Sequence, residues 1–324
     1  MLNKPRILVA SPASSASNNG NWRTAQRWAQ FLAARYHVEI TTQWDSASPP
    51  PDALIALHAR RSADTIEAFA QTGRPLVVVL TGTDLYRDIH HDESARRSLQ
   101  LAHTLVLLQD AGVAELPEAL RHKASVIYQS APALAPEPGD DGHFDVLMVG
   151  HLRTEKDPLT FMKAAMQASA PGLRFTQVGG ALEDGLGRHA GHTAARCANY
   201  QWLGALPHDA TRALLRKSRL LVVPSLMEGG ANVIVEAVTS SVPVLASAIS
   251  GNRGMLGAAY AGYFPASDAA ALADLVNRAA TQPEFEQLLR AQCAARLPLF
   301  APEREKAAVL RLIDNALTQP RTKP

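Results

Sequence analysis

Cysteine is almost missing from this chain. Cys197 and Cys293 are the only two in 324 residues and neither lies in a C-x-x-C pair. That argues against a disulfide framework or a structural zinc site and fits a reducing compartment. Neither sign of charge is in excess: 32 Lys and Arg face 30 Asp and Glu, a net of +2. No global attraction to nucleic acid or an anionic membrane follows, so any anion site must be local. Membrane-length apolar runs are absent as well. The first run, residues 7–10, is too short for a signal-peptide core or a span. Together these absences predict a soluble, cytoplasmic protein with no nucleic-acid or membrane partner. Aromatics make up 6% of the chain, and Trp22, Trp28, Trp44 and Trp202 are dispersed, as packing rather than a base-stacking platform requires.

What the chain does have is length for about two domains and a recurring pattern. Short apolar runs bounded by turn residues occur at 6–10, 37–40, 53–58, 75–80, 104–108 and 125–128. Such runs read as strands buried on both faces of a parallel sheet. Helical patterns lie between them, as in "TAQRWAQFLAARY", where Ala25, Trp28, Ala29 and Leu32 share one face. A Pro, Gly and Asp-rich stretch at 131–143 reads as a linker. After it the alternation resumes, with strands near 145–150, 174–180, 201–204, 219–225 and 242–247. The fold class expected is α/β, two Rossmann-like doubly wound domains over 1–135 and 136–300. The segment 301–324 holds an amphipathic helix with Pro302 at its start, placed to cross back to the first lobe.

Three polar constellations fall at expected strand ends. In "SLMEGGANVIVEAV", the backbone of Gly229, Gly230, Ala231 and Asn232 enters a helix, where free N–H groups favour an anion. Glu228 and Glu236 flank that turn and suit sugar hydroxyls, although a capping and a solvated glutamate fit the same spacing. In "VLMVGHLRTEKDP", His151, Arg153 and Lys156 follow a strand and can neutralise a diphosphate without a metal. A solvated basic loop fits equally. In the first lobe, "SPASSASNNGNWRTAQ" offers Gly20 and Asn21 before a helix, flanked by Arg23. It lacks G-x-G-x-x-G, so it does not favour a dinucleotide. His58, Arg60 and Arg61 end one strand of this lobe, and Thr83 and Asp84 another. They read as an anion pocket, or else as surface arginines paired with Asp64 and Asp88. Adjacent His90 and His91 point in different directions and do not make a metal site.

The stretches "GHLRTEKDP", "VGG" and "WLGALPHDATRALLRKSRLLVVPSLMEGGANVIVEAVTSSVPVLASAISG" resemble the nucleotide-sugar-binding domain of the retaining GT-B glycosyltransferases of family four. The resemblance implies that the domains face a central cleft. It also implies sugar contacts for Glu228, donor contacts for the amides of Gly229 to Asn232, and a ribose contact for Glu236. Lys156 matches the family's "G-R-L-x-x-x-K-G" lysine, while His151 stands in its arginine slot with Arg153 nearby. The family's "H-G-x-D" is "T-G-T-D" at 81–84, which points away from an ordinary hydroxyl acceptor.

Over nearly the full chain, "GNWRTAQRWAQFL", "ALIALHARRSADTI", "PLVVVLTGTDLYRDI", "VIYQSA" and "VGHLRTEKDP" are similar to the selenosugar synthases of selenoneine biosynthesis. This narrower likeness implies transfer of N-acetylglucosamine from UDP-N-acetylglucosamine to the selenium of selenophosphate, with no metal or other cofactor. It also implies hand-off of the product to the next enzyme of that pathway. In such a reaction His58, Arg60, Arg61 and Arg23 hold the acceptor phosphate, and Asp84 orients an arginine or the sugar. The alternatives are a hydroxyl-directed glycosyltransferase, a UDP-sugar epimerase and a non-catalytic nucleotide-sugar-binding protein.

Overall fold

Short unbroken apolar runs can be buried only if helices cover both faces of the sheet they form, and both sheets of this protein are parallel throughout. The structure, a computed structural model, describes residues 4–13, 20–139 and 142–318. The first sheet contains β1 (Arg6–Ala10), β2 (His37–Thr41), β3 (Ala53–Leu57), β4 (Leu76–Leu80), β5 (Thr104–Leu107) and β6 (Ala124–Val126), in the order β2-β1-β3-β4-β5-β6. β3 and β4 are buried at every position. Because side chains alternate across a strand, one face packs Leu54, Val78 and Leu105 against Phe69. The opposite face packs Ile55, Val79 and Val106 against Trp28. The connecting helices are α1 (Gly20–Leu32), α2 (Ala63–Ala70), the single turn α3 (Ile89–His91) and α4 (Glu93–Leu101). Strand order reverses between β1 and β3, so the ligand crevice of this sheet lies at their carboxyl ends.

The second sheet contains β7 (Phe144–Val149), β8 (Leu173–Val178), β9 (Tyr200–Trp202), β10 (Leu220–Val223), β11 (Val244–Ser247) and β12 (Tyr263–Phe264), in the order β12-β11-β10-β7-β8-β9. Its helices are α5 (Pro158–Gln167), α6 (Asp184–Arg196), α7 (His208–Lys217), α8 (Asn232–Val238), α9 (Ser250–Leu256), α10 (Ala269–Thr281) and α11 (Pro283–Ala294). Here the order reverses between β7 and β10, which sets the switch point. β12 is a two-residue edge strand, too short to register as an apolar run in the sequence.

The chain divides after Gln129 and again before Pro302. The stretch that reads as a linker is fastened to the second unit. Leu134 N donates to Thr239 O at 3.1 Å, Glu137 N to Arg216 O at 3.0 Å, and Arg216 Nε to Ala135 O at 2.7 Å. From Pro302 the chain rejoins the first unit in α12 (Pro302–Thr318). Glu305 on α12 is buried and accepts from Arg27 Nε at 2.8 Å, Arg27 Nη2 at 3.1 Å and Trp28 Nε1 at 2.7 Å. All three donors sit on α1, and with Val309, Leu312 and Ile313 packed in the core beside Trp28 they dock the terminal helix on the first unit. Glu305→Gln should cost about 2–3 kcal/mol, because Arg27 loses its partner in a site largely shut off from water. Denaturant unfolding measures this directly, and an unchanged midpoint contradicts it.

Candidate functional site

The loop after β7 and the loop after β10 meet at the second sheet's switch point. Lys156 ends a short helical turn, and Asp157 follows it in the left-handed region at φ 44°, ψ 55°. Thr160 Oγ1 and Ser267 Oγ donate to Asp157 Oδ2 at 2.7 and 2.9 Å and hold that bend. The bend delivers Lys156 Nζ to 2.5 Å from Glu228 Oε1. The same oxygen accepts Ser225 Oγ at 2.6 Å, and Leu226 N donates to Glu155 O at 2.8 Å. With Lys156 and Glu228 side chains only 18% and 8% exposed, this is a half-enclosed ion pair that joins the two strand ends.

Two glycines make the approach possible. A Cβ at Gly251 would lie 1.8 Å from Glu228 O, so α9 rests directly on the glutamate's backbone. Gly179, at φ 147°, touches the neighbouring turn so closely that a Cβ would sit 2.0 Å from Gly150 O.

Glu236 has different company. It lies on α8, is 14% exposed, and its Oε1 accepts from His208 Nε2 at 2.8 Å. The two glutamates of the motif therefore join separate hydrogen-bonded groups. Nothing in the sequence pointed to His208; its position in the first turn of α7 names no partner. Gly229 and Gly230 form the turn after Glu228, Ala231 is the N-cap of α8 and Asn232 its first residue. His151 is half-buried beside Gly180, and its Nδ1 is enclosed without a hydrogen-bond partner. Arg153 is 34% exposed and only 4.0 Å from Glu155.

In the first unit Gly20 begins α1, with Asn21 and Arg23 half-buried behind it. Residues 14–19 of the expected phosphate loop lie outside the described residues. His58, at the end of β3, is buried at φ 72°. Its Nδ1 accepts Arg61 N at 3.2 Å, so Nε2 carries the proton and donates to Thr83 Oγ1 at 3.0 Å. Burial pushes the His58 pKa down against the pull of Asp84, which keeps the ring neutral. Asp84 is fully buried, and its oxygens accept Thr81 N at 2.9 Å, Gly82 N at 2.8 Å and Ala59 N at 3.0 Å.

Asp84 ties together the loops after β3 and β4 through these three backbone donors. One sequence expectation is corrected here. Arg60 and Arg61 are exposed, and Arg60 pairs with Asp92 at 2.8 Å rather than with Asp64 or Asp88. Asp88 pairs with Arg87 at 3.1 Å. Among the described residues no cluster of three His, Cys, Asp or Glu side chains is placed to hold a metal ion. None of the described helices is long and apolar enough to cross a membrane.

The family model for glycosyl transferases group 1 matches residues 134–296, just over half of the chain and nearly all of the second unit. The chain belongs to this family. The matched span includes the loops after β7 and β10 that carry the ion pair. A curated relative, the 2-deoxystreptamine N-acetyl-D-glucosaminyltransferase of Streptomyces fradiae, is 28% identical over 199 residues. That match takes in 59% of this chain and 45% of the relative, so the chain covers less than half of that protein's length. Among solved structures, sucrose-phosphate synthase from Thermosynechococcus elongatus superposes with a TM-score of 0.79 at 17% identity, over 97% of this chain and 99% of that one. HepE from Anabaena, solved with UDP and glucose, gives 0.74 at 16% identity, over 96% and 100%. At these identities the likeness concerns the fold, the pair of Rossmann-like parallel-sheet domains of the GT-B class.

Proposed function

We propose that this group 1 glycosyltransferase moves N-acetylglucosamine from UDP-N-acetylglucosamine to the selenium of selenophosphate. The observation that supports the donor half is the Lys156–Glu228 pair across the β7/β10 switch point. A cation beside a sugar-binding carboxylate, at the carboxyl ends of a doubly wound sheet, suits a diphosphate joined to a sugar. The curated relative's name specifies an N-acetyl-D-glucosaminyl group, which favours that sugar, and a HepE structure contains UDP-glucose, which favours a UDP-linked donor. The acceptor half rests on the full-chain resemblance to selenosugar synthases.

In the proposed reaction a selenium lone pair forms a bond to the anomeric carbon. The bond from that carbon to the diphosphate oxygen breaks, and UDP leaves with the electron pair. Lys156 stabilises the charge that develops on the leaving diphosphate. Glu228 contacts the sugar hydroxyls and Glu236 the ribose. Selenophosphate is already an anion, so the site needs positioning rather than a strong base. Arg61, Arg60 and Arg23 are the cations offered to its phosphate, while buried His58 supports Thr83 and makes no direct contact. Neither a metal nor another cofactor enters this scheme.

Mass spectrometry of the protein with UDP-N-acetylglucosamine, alone and with enzymatically generated selenophosphate, tests the reading. UDP and a selenium-bearing sugar are expected only in the second mixture. Turnover with an alcohol acceptor and indifference to selenophosphate would instead establish a hydroxyl-directed enzyme.

A further inference from the structure

The second glutamate of the E-x7-E motif is held from behind by a helix that the motif does not include. His208 and Arg212 are four residues apart on α7 and so share one face. That face is turned to Glu236 on α8. His208 Nε2 lies 2.8 Å from Glu236 Oε1, and because a carboxylate only accepts, that nitrogen must carry the proton. Arg212 is 6% exposed. Burial, the largest influence, pulls its pKa down, and the charge of Glu236 pushes it back up. Its Nη2 donates to Ser240 Oγ at 3.2 Å and Pro132 O at 3.3 Å, while Nη1 is buried with no partner. His208, Arg212 and Glu236 line a single cavity of about 350 Å³.

Glu236 is therefore neither solvated nor spent in a closed ion pair. One oxygen is anchored by the imidazole, and the side chain keeps 14% of its surface open. A lone glutamate on a helix samples several rotamers, and ordering them on binding consumes affinity. A carboxylate clamped at one oxygen presents the other in a fixed direction, as a pre-ordered acceptor for a diol needs.

We infer that His208 is a positioning residue that aims Glu236 at the ribose hydroxyls of the nucleotide donor. This rests on the functional reading above, and it assigns a role to a residue outside the family motif. Arg212 adds a buried positive charge beside the pair, lining the same cavity as Glu236.

The test is calorimetric binding of UDP, 2′-deoxy-UDP and 3′-deoxy-UDP to the full chain, without any acceptor. The wild type should prefer UDP over at least one deoxy analogue. His208→Ala should lose about tenfold in UDP affinity, as removal of one charge-assisted hydrogen bond predicts, and should lose most of that preference. His208→Gln, which keeps an N–H donor at similar reach, should recover part of both. In a Glu236→Ala background, His208→Ala should add nothing further. If His208→Ala weakens UDP and its deoxy analogues equally, or leaves the ratio intact, the positioning role is overturned while the donor reading stands. If the wild type binds UDP and both analogues alike, the ribose role of Glu236 falls as well. Absence of UDP binding by the wild type overturns the donor reading itself.

Discussion

Lys156→Ala is expected to lower the kcat of UDP-sugar transfer by about 10²- to 10³-fold, the usual effect of removing one preorganised group aimed at developing charge. Its ammonium lies 2.5 Å from Glu228 Oε1. When the bond to the diphosphate breaks, negative charge grows on the leaving group, and a neighbouring cation can turn toward it without being desolvated first. The donor KM should move far less than kcat, because the interaction strengthens in the transition state. Glu228 keeps Ser225 Oγ as a donor, so the fold should survive. Steady-state kinetics beside a thermal unfolding curve checks both points. A kcat within threefold of wild type removes Lys156 from the chemistry, and a collapsed unfolding midpoint makes the ion pair structural instead.

Gly251→Ala should be nearly as damaging, for a steric reason. The added Cβ would lie 1.8 Å from Glu228 O, 2.8 Å from its carbonyl carbon and 3.2 Å from its Cβ. The first two are backbone atoms, so no side chain can swing aside and the turn that carries Glu228 must shift. Overpacking of this kind costs about 1–3 kcal/mol, and displacement of an aligned carboxylate by about 1 Å can cost on the order of 100-fold in rate. The matched control is Gly191→Ala. An added Cβ there meets nothing within 4 Å, and the position is inside α6, so alanine should stabilise by about 0.5–1 kcal/mol. Equal activity for the two variants would show that α9 does not brace Glu228.

Much of the fold was legible because strand burial is written in local composition. The runs at 53–58 and 75–80 are apolar at nearly every residue, and β3 and β4 are buried at every position. β12 was not legible, since Tyr263 and Phe264 gain strand pairing only from the edge that β11 presents. Residues 131–139 show a second limit. Pro and Gly mark irregular backbone, yet irregular backbone can still be fastened, and this stretch is bonded to the second unit through Thr239 and Arg216.

For the site, the sequence by itself determined the chemical inventory. Lys156 and the two glutamates stood out through the resemblance of the stretches after β7 and β10 to the family's motifs. Only the tertiary structure decided which of those groups work together. Lys156 and Glu228 are 72 residues apart and meet because strand order reverses between β7 and β10. Glu236 meets His208 because α7 packs beside α8. Arg60 read as a phosphate ligand or a partner of Asp64 or Asp88, but Asp92 holds it, while Asp84 accepts three backbone amides. Spacing along a chain fixes which face of a helix or strand a side chain occupies. Which donor lies opposite it is a property of the sheet order and of how the helices pack upon it.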